Sequence, residues 1–301
     1  MRLLNAFKFL NSNNKQLLNS LGGVLVTLLC LSFTPPTLAG GANKRSPQNG
    51  EANKRSPQNG EARIFGVARN ALTGEAISDV EVTMSGPGGT KNTHTNPTGS
   101  YSFPNLGAGT FTLDFNKVGF IPVTGRTVFV SAGQQAEENV SMSPPLSQSS
   151  FRITMSWSAP KPGAVQDVDS YLSVPGERIP VHYNQCSIGG AALDRDDVDW
   201  IGPETVTIPT LKAGTYQYYV SNFSAQDDPL ALALSEIRIS IYQGSTLLKA
   251  YSVPTGGSGF TYHVFDIVNT SASPTIVDVE RYDANLYVDN QGIPGPNTCS
   301  R

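Results

Sequence analysis

From Arg63 to about Asn269 the chain is cut into apolar-alternating runs of four to ten residues by clusters of Gly, Pro, Asn and Ser. "FRITMSWS" shows the pattern well, with Phe151, Ile153, Met155 and Trp157 on one face. Side chains of a strand alternate between faces, so such runs fit half-buried strands and do not fit helices. After the first 35 residues no long stretch keeps the i, i+3, i+4, i+7 spacing of an amphipathic helix. The 29 glycines and 21 prolines supply turns at the spacing an all-β sandwich needs. The predicted fold class is therefore all-β: two consecutive antiparallel β-sandwich domains, at 63–144 and 151–270, joined by the "SPPLSQSS" linker around 145–150.

The N-terminus reads differently. Arg2, Lys8 and Lys15 precede the apolar run Leu21 to Phe33, and "TLAG" offers small residues for cleavage after Ala39. This is the pattern of an export signal over 1–39, and the apolar run is short for a membrane span of about 20 residues. An uncleaved anchor is the alternative. Leu29 before Cys30 is too large for lipoprotein processing. Removing three positive charges and no negative ones would move the net charge from −3 to −6. A decapeptide, "ANKRSPQNGE", then occurs twice, at Ala42 to Glu51 and Ala52 to Glu61. It has no aromatic or large aliphatic residue with which to build a core, so 40–62 is expected to be a disordered tether.

Charge excludes one class of function. From Ser150 onward there are 16 acidic and 9 basic residues. Phosphate neutralisation requires a basic face, so nucleic-acid binding is not expected. A membrane would be met only through the export signal. After signal removal Cys186 and Cys299 are the two remaining cysteines, and an even pair in an exported chain favours a disulfide.

Two resemblances follow from longer stretches. "IFGVARNALTGEAISDVEVTM", "TNPTGSYSFPNLGAGTFTLDF" and "KVGFIP" resemble the carboxypeptidase regulatory-like domain, a small transthyretin-like sandwich. The resemblance implies a non-catalytic module of exported proteins, with Tyr101, Phe103, Leu106, Phe111 and Leu113 alternating into the core. His94 is expected to be a solvated loop residue. Further on, "ITMSW", "DVDSYL", "HYN", "LDRDDVDWIGPETVTI", "GTYQYYVSNFS" and "HVFDI" occur in the order seen in the YfaP family, exported bacterial domains without an established biochemical role. Ser170 and Tyr171 stand where that family tends to have a histidine or another polar residue. Residues 271–301 are expected to add an edge hairpin and a loose tail.

The chemistry of the chain concentrates in two acidic clusters of the second half. Asp167 and Asp169 share a face if "DVDSYL" is a strand, and side by side they would repel unless a proton or a cation intervened. Oxygen-rich loops suit Ca²⁺, and "DRDDVD" supplies carboxylates. The expected ion set is Asp167, Asp169, Asp196 and Asp197, with Asp194 and Asp199 in reserve. The spacing is not that of an EF-hand. The alternative is a solvated acidic loop whose aspartates cap turns and pair with Arg195 or Arg178. A zinc site from His182, His263 and Asp266 is a further option.

These readings converge on an exported, non-catalytic interaction or scaffold protein of the periplasm or cell surface, with a protein or glycan partner and calcium as the expected ion. Two alternatives belong to other classes. One is a carbohydrate-binding module using Tyr216, Tyr218, Tyr219 and Trp200. The other is a metal-dependent or carboxylate-based hydrolase acting on glycans or peptides. No nucleophile, base and orienting group can be read together in the sequence.

Overall fold

The structure, a computed structural model, describes residues 62–270, 273–285 and 299. The expected export signal, the decapeptide repeat and most of the C-terminal tail lie outside the described residues. Among the described residues, no helix is long and apolar enough to cross a membrane.

The first half builds eight strands: β1 (Ala62–Asn70), β2 (Glu81–Gly86), β3 (Gly89–His94), β4 (Ser100–Leu106), β5 (Gly109–Asn116), β6 (Val123–Val130), β7 (Gln135–Glu137) and β8 (Val140–Met142). One sheet runs β3-β2-β5-β6, and the other runs β4-β1-β7 with β8 also on β1. Pairing is antiparallel except that β7 and β8 run parallel to β1. The sheets close on Ile64, Val82, Met84, Tyr101, Phe103, Phe111, Leu113 and Phe115. The alternating residues of the "SYSFPNL" and "GTFTLDF" runs are thus inside. Burying each large side chain contributes roughly 1.5–3 kcal/mol. Tyr101 donates its hydroxyl to the Glu138 carbonyl at 2.6 Å, so its polar tip is satisfied within the core. His94 is exposed on β3.

The second half builds β9 (Phe151–Ser156), β10 (Val168–Ser173), β11 (Ser187–Ile188), β12 (Ala191–Arg195), β13 (Glu204–Ile208), β14 (Gly214–Asn222), β15 (Arg238–Gln243), β16 (Thr246–Ser252), β17 (Thr261–Asn269) and β18 (Thr275–Asp283), with one short helix, α1 (Ala231–Leu234). A six-stranded sheet, β11-β12-β13-β9-β15-β16, packs on a four-stranded sheet, β10-β14-β17-β18. Phe151, Ile153, Met155 and Trp157 face that core together with Val206, Ile208, Ile239, Ile241 and Phe265. Of the segment expected to add an edge hairpin, the described residues form β18, which pairs antiparallel with β17.

The outer face of the six-stranded sheet is polar yet buried. Arg152, Thr154, Ser156, Thr205 and Ser240 alternate with the apolar residues named above, and all are enclosed. What covers them is the first sandwich. Ser156 Oγ donates to the Asn139 carbonyl at 3.2 Å, Arg126 Nη2 to Ser240 Oγ at 3.0 Å, and Asn139 Nδ2 to the Trp157 carbonyl at 2.9 Å. Buried polar groups persist only when paired, and this joint pairs them across the two sandwiches. Both sandwiches accordingly fall within one compact unit. The linker is part of the joint: Arg152 Nη1 donates to Ser143 Oγ at 2.9 Å and to the Pro144 carbonyl at 3.2 Å.

Candidate metal centre

Two strands and one loop bring the acidic clusters together. Asp167 lies just before β10 and Asp169 within it, on the strand that edges the four-stranded sheet. Asp196 follows β12, and Glu204 is the first residue of β13. The connection between them turns back through Trp200, Ile201 and Gly202, all left-handed at φ 61°, 62° and 72°. That conformation is unfavourable for bulky and β-branched residues and persists only where surroundings enforce it. Here they do. The Trp200 N–H donates to the Gln166 carbonyl at 3.1 Å. A Cβ on Gly202 would meet the Trp157 ring at 2.8 Å, so only glycine fits there.

The result is a buried carboxylate centre. Ligand atoms of Asp169, Asp196 and Glu204 lie within 4.8 Å of one another. Asp169 is 2 % exposed and Glu204 1 %. Glu204 Oε2 accepts the Ser170 N–H at 2.9 Å. Glu204 Oε1 and Asp169 Oδ2 are buried without a hydrogen-bond partner among the described residues. The Tyr171 hydroxyl bonds the Asp169 carboxylate.

The electrostatics follow from this enclosure. Burial pushes the Asp169 carboxyl well above the usual carboxylate range, and the charges of Asp167 and Asp196 add to it, against the Tyr171 hydrogen bond. Glu204 is pushed up for the same reasons: burial first, then Asp169 and Asp196, with Asp167 a smaller contributor. The Ser170 N–H opposes that shift. Two like charges at such a separation repel by about 3–4 kcal/mol at an effective dielectric constant near 20. The centre must therefore hold protons or a cation. Its all-oxygen donor set suits a hard divalent ion, Ca²⁺ in particular.

The other expected ligands sit elsewhere. Asp197 turns to Arg195, Oδ2 to Nη2 at 2.7 Å, and its Oδ1 accepts the Asp199 N–H at 3.2 Å. Asp199 itself is exposed. The register of β12 shifts between Leu193 and Arg195. Asp194 accepts the Thr207 hydroxyl beside Arg152. Burial raises the Asp194 carboxyl, opposed by that hydrogen bond and by the guanidinium. Of the expected four, Asp169 and Asp196 thus converge, Asp167 stands close enough to act through its charge, and Asp197 is an ion-pair partner. Glu204 replaces it. One signal for Glu204 was present in the sequence: an acid at the start of "ETVTI", in phase with the core residues Val206 and Ile208.

The histidines do not join this group. His263 Nε2 lies 2.7 Å from Asp266 Oδ1, and its ring stacks on Tyr219 at 4.1 Å. His182 stacks on Tyr171 at 5.3 Å. Tyr216 and Tyr218 are fully buried, with Tyr218 Oη 2.7 Å from Ser170 Oγ, so neither can present a face to a sugar. Cys186 and Cys299 are joined by a disulfide, with Cα atoms 5.2 Å apart. Beside the centre, a cavity of about 250 Å³ is walled by Arg69, Arg195, Asp196, Asp197, Asp199 and Trp200. Asp196 thus borders both the carboxylate centre and a space open to solvent.

The carboxypeptidase regulatory-like domain matches residues 63–143. No relative was found among curated proteins. Among solved structures the chain is similar to a protein of unknown function, at 19 % identity and TM-score 0.34 over 45 % of this chain and 92 % of that one. It is also similar to a homologue of the telluride resistance protein TerD from Streptomyces coelicolor, at 14 % identity and TM-score 0.39 over 47 % and 94 %. A third is a candidate carbohydrate-binding protein from Bacteroides uniformis, at 14 % identity and TM-score 0.25 over 73 % and 100 %. At these TM-scores nothing about function follows from the likenesses.

Proposed function

We propose that the chain is an exported, non-catalytic scaffold or interaction protein whose second sandwich is stabilised by Ca²⁺ held by Asp169, Asp196 and Glu204, with Asp167 at its edge. The observation that carries this reading is the convergence of three buried carboxylates with two oxygens lacking any hydrogen-bond partner among the described residues. Buried charge of one sign is costly, and a divalent ion turns that cost into binding energy. The carbonyl and water ligands that Ca²⁺ also takes would complete the shell.

The geometry weighs against the hydrolase. Paired catalytic carboxylates of glycosidases stand roughly 5–10 Å apart with a sugar between them. These stand closer, with ligand atoms within 4.8 Å of one another, so no sugar ring fits between them. The regulatory-like match at 63–143 implies a module that is itself non-catalytic, and the YfaP resemblance of 151–270 fits an exported setting where Ca²⁺ is abundant. In that setting the partner is a protein or glycan at the cell surface.

The test is calorimetric titration of chelator-stripped protein with Ca²⁺ and with Mg²⁺, alongside thermal melts. Saturating Ca²⁺ should raise the melting temperature, since a ligand of the folded state stabilises it by mass action. Asp169→Asn and Glu204→Gln should abolish the response. Absence of binding heat together with an unchanged melt would overturn the proposal.

A further inference from the structure

The two residues that follow or precede the acids of the centre are the ones that grip the first sandwich. Arg195 and Thr205 are ladder partners at the end of β12 and β13. Each is the chain neighbour of a carboxylate of the cluster, Asp196 or Glu204. Neighbouring side chains of a strand point to opposite faces, so this ladder end has acids on its inner side and contact residues on its outer side. Thr205 Oγ1 donates to the Ala71 carbonyl at 2.6 Å, in a buried position. Arg195 Nη1 donates to the Thr73 carbonyl at 3.3 Å. Gly74, left-handed at φ 71°, lies against the same guanidinium, where a Cβ would come within 2.3 Å of Arg195 Cζ. Asp197 holds that guanidinium from behind. The gripped turn is itself closed by Gly74 N–H to the Asn70 carbonyl at 2.8 Å and Ala71 N–H to the Met142 carbonyl at 2.9 Å.

We propose that the ion fastens the two sandwiches together. This rests on the reading of Asp169, Asp196 and Glu204 as its ligands. Closing Asp196 and Glu204 onto Asp169 fixes the β12–β13 end, and the fixed end presents Thr205 and Arg195 to the turn at 70–75. Without the cation the three acids repel, the left-handed segment at Trp200 and Ile201 loses its closure, and the grip on the turn weakens. Linkage requires the converse: a docked first sandwich raises affinity for the ion. The ion would thereby set the rigidity of the whole two-domain unit, which suits a protein that spaces a partner from a surface.

The experiment reads hydrogen exchange of the full chain, peptide by peptide, with chelator and with saturating Ca²⁺, while calorimetry follows binding directly. Ca²⁺ should slow exchange of the amides at 70–75, which precede Asp196 by more than 120 residues in the sequence, by about tenfold, within the usual range of coupling between sites. Thr205→Val should still bind Ca²⁺, weakened by no more than the coupling itself, about tenfold, and should abolish the slowing, and Thr205→Ser should restore both. Binding without any change at 70–75 would overturn this inference and leave the ion site standing. No binding at all would overturn both.

Discussion

Glu138 of the first sandwich is the acceptor for Arg238 of the second, Oε2 to Nε at 2.9 Å, with the carboxylate only 1 % exposed. Arg126 Nε stands 4.0 Å from its other oxygen. One carboxylate therefore serves two guanidiniums, one from each sandwich. Glu138→Gln removes the negative charge and leaves Arg126 enclosed and Arg238 half-buried at the joint. Breaking a buried pair in this way costs about 3–5 kcal/mol. Arg238→Met should cost less, because Arg126 remains to face Glu138. Urea denaturation of the two variants checks the order, and an equal or smaller loss for Glu138→Gln would contradict it.

Chelator-treated protein should be stabilised by acid. The carboxyls of Asp169 and Glu204 are raised in the folded state, chiefly by burial. A carboxyl raised on folding binds more protons folded than unfolded, so its contribution is fully present below the unfolded value near 4 and is lost as pH rises through the folded value. Without Ca²⁺ the melting temperature should therefore fall as pH is raised above about 5. With Ca²⁺ saturating, the charged forms are the ones bound, and the melting temperature should no longer fall over that range. Melts at several pH values, with chelator and with Ca²⁺, check this. Parallel curves in the two conditions would contradict it.

Glu204→Gln separates repulsion from ligation. The amide keeps the size of the side chain and an oxygen to accept the Ser170 N–H, while removing one charge from the cluster. In chelator at pH 8 the variant should be more stable than the parent by roughly 1–3 kcal/mol, because one repulsive charge is gone. In Ca²⁺ the order should reverse. Asp197→Asn should show neither effect, since that carboxylate faces Arg195. Denaturant midpoints in the two conditions give the comparison directly.

The strands were legible because their apolar residues repeat at period two, as in "FRITMSWS", whose inward set is the set found in the core. The acidic neighbourhood was legible for the same reason: two aspartates two apart on a strand share a face. What composition hid was the other face of β9, β13 and β15. Polar residues alternating with an apolar face suit the solvent side of a strand, yet Arg152, Thr205 and Ser240 are buried because the first sandwich and the linker supply partners. Local pattern cannot show a partner that lies over 100 residues away in sequence, and Thr205 with Ala71 is such a pair. Asp197 is a different case, because its partner is local and its pairing with Arg195 is the alternative that the sequence offered. An aspartate two residues beyond an arginine pairs with it once the strand ends, and its charge is then spent locally.

The disulfide reaches further than the tail it holds. Cys299 is buried against the second core, with its sulfur 3.1 Å from the Tyr183 carbonyl and 3.6 Å from that of His182. The bridge closes a separation of 113 residues. Cys299→Ser and Cys186→Ser should each lower stability by about 2–4 kcal/mol, and the double variant by no more than either alone. The bridge also bears on the acids. It fixes the segment whose His182 ring stacks on Tyr171, and Tyr171 hydrogen-bonds Asp169. Groups that orient a ligand from behind typically change metal affinity by about tenfold or more when lost. Both cysteine variants should therefore bind Ca²⁺ about tenfold more weakly than the parent, as should Tyr171→Phe with the bridge intact. Titration calorimetry of the three proteins decides the matter. If Tyr171→Phe weakens binding and Cys299→Ser does not, the segment is held without the bridge, and the disulfide serves stability alone.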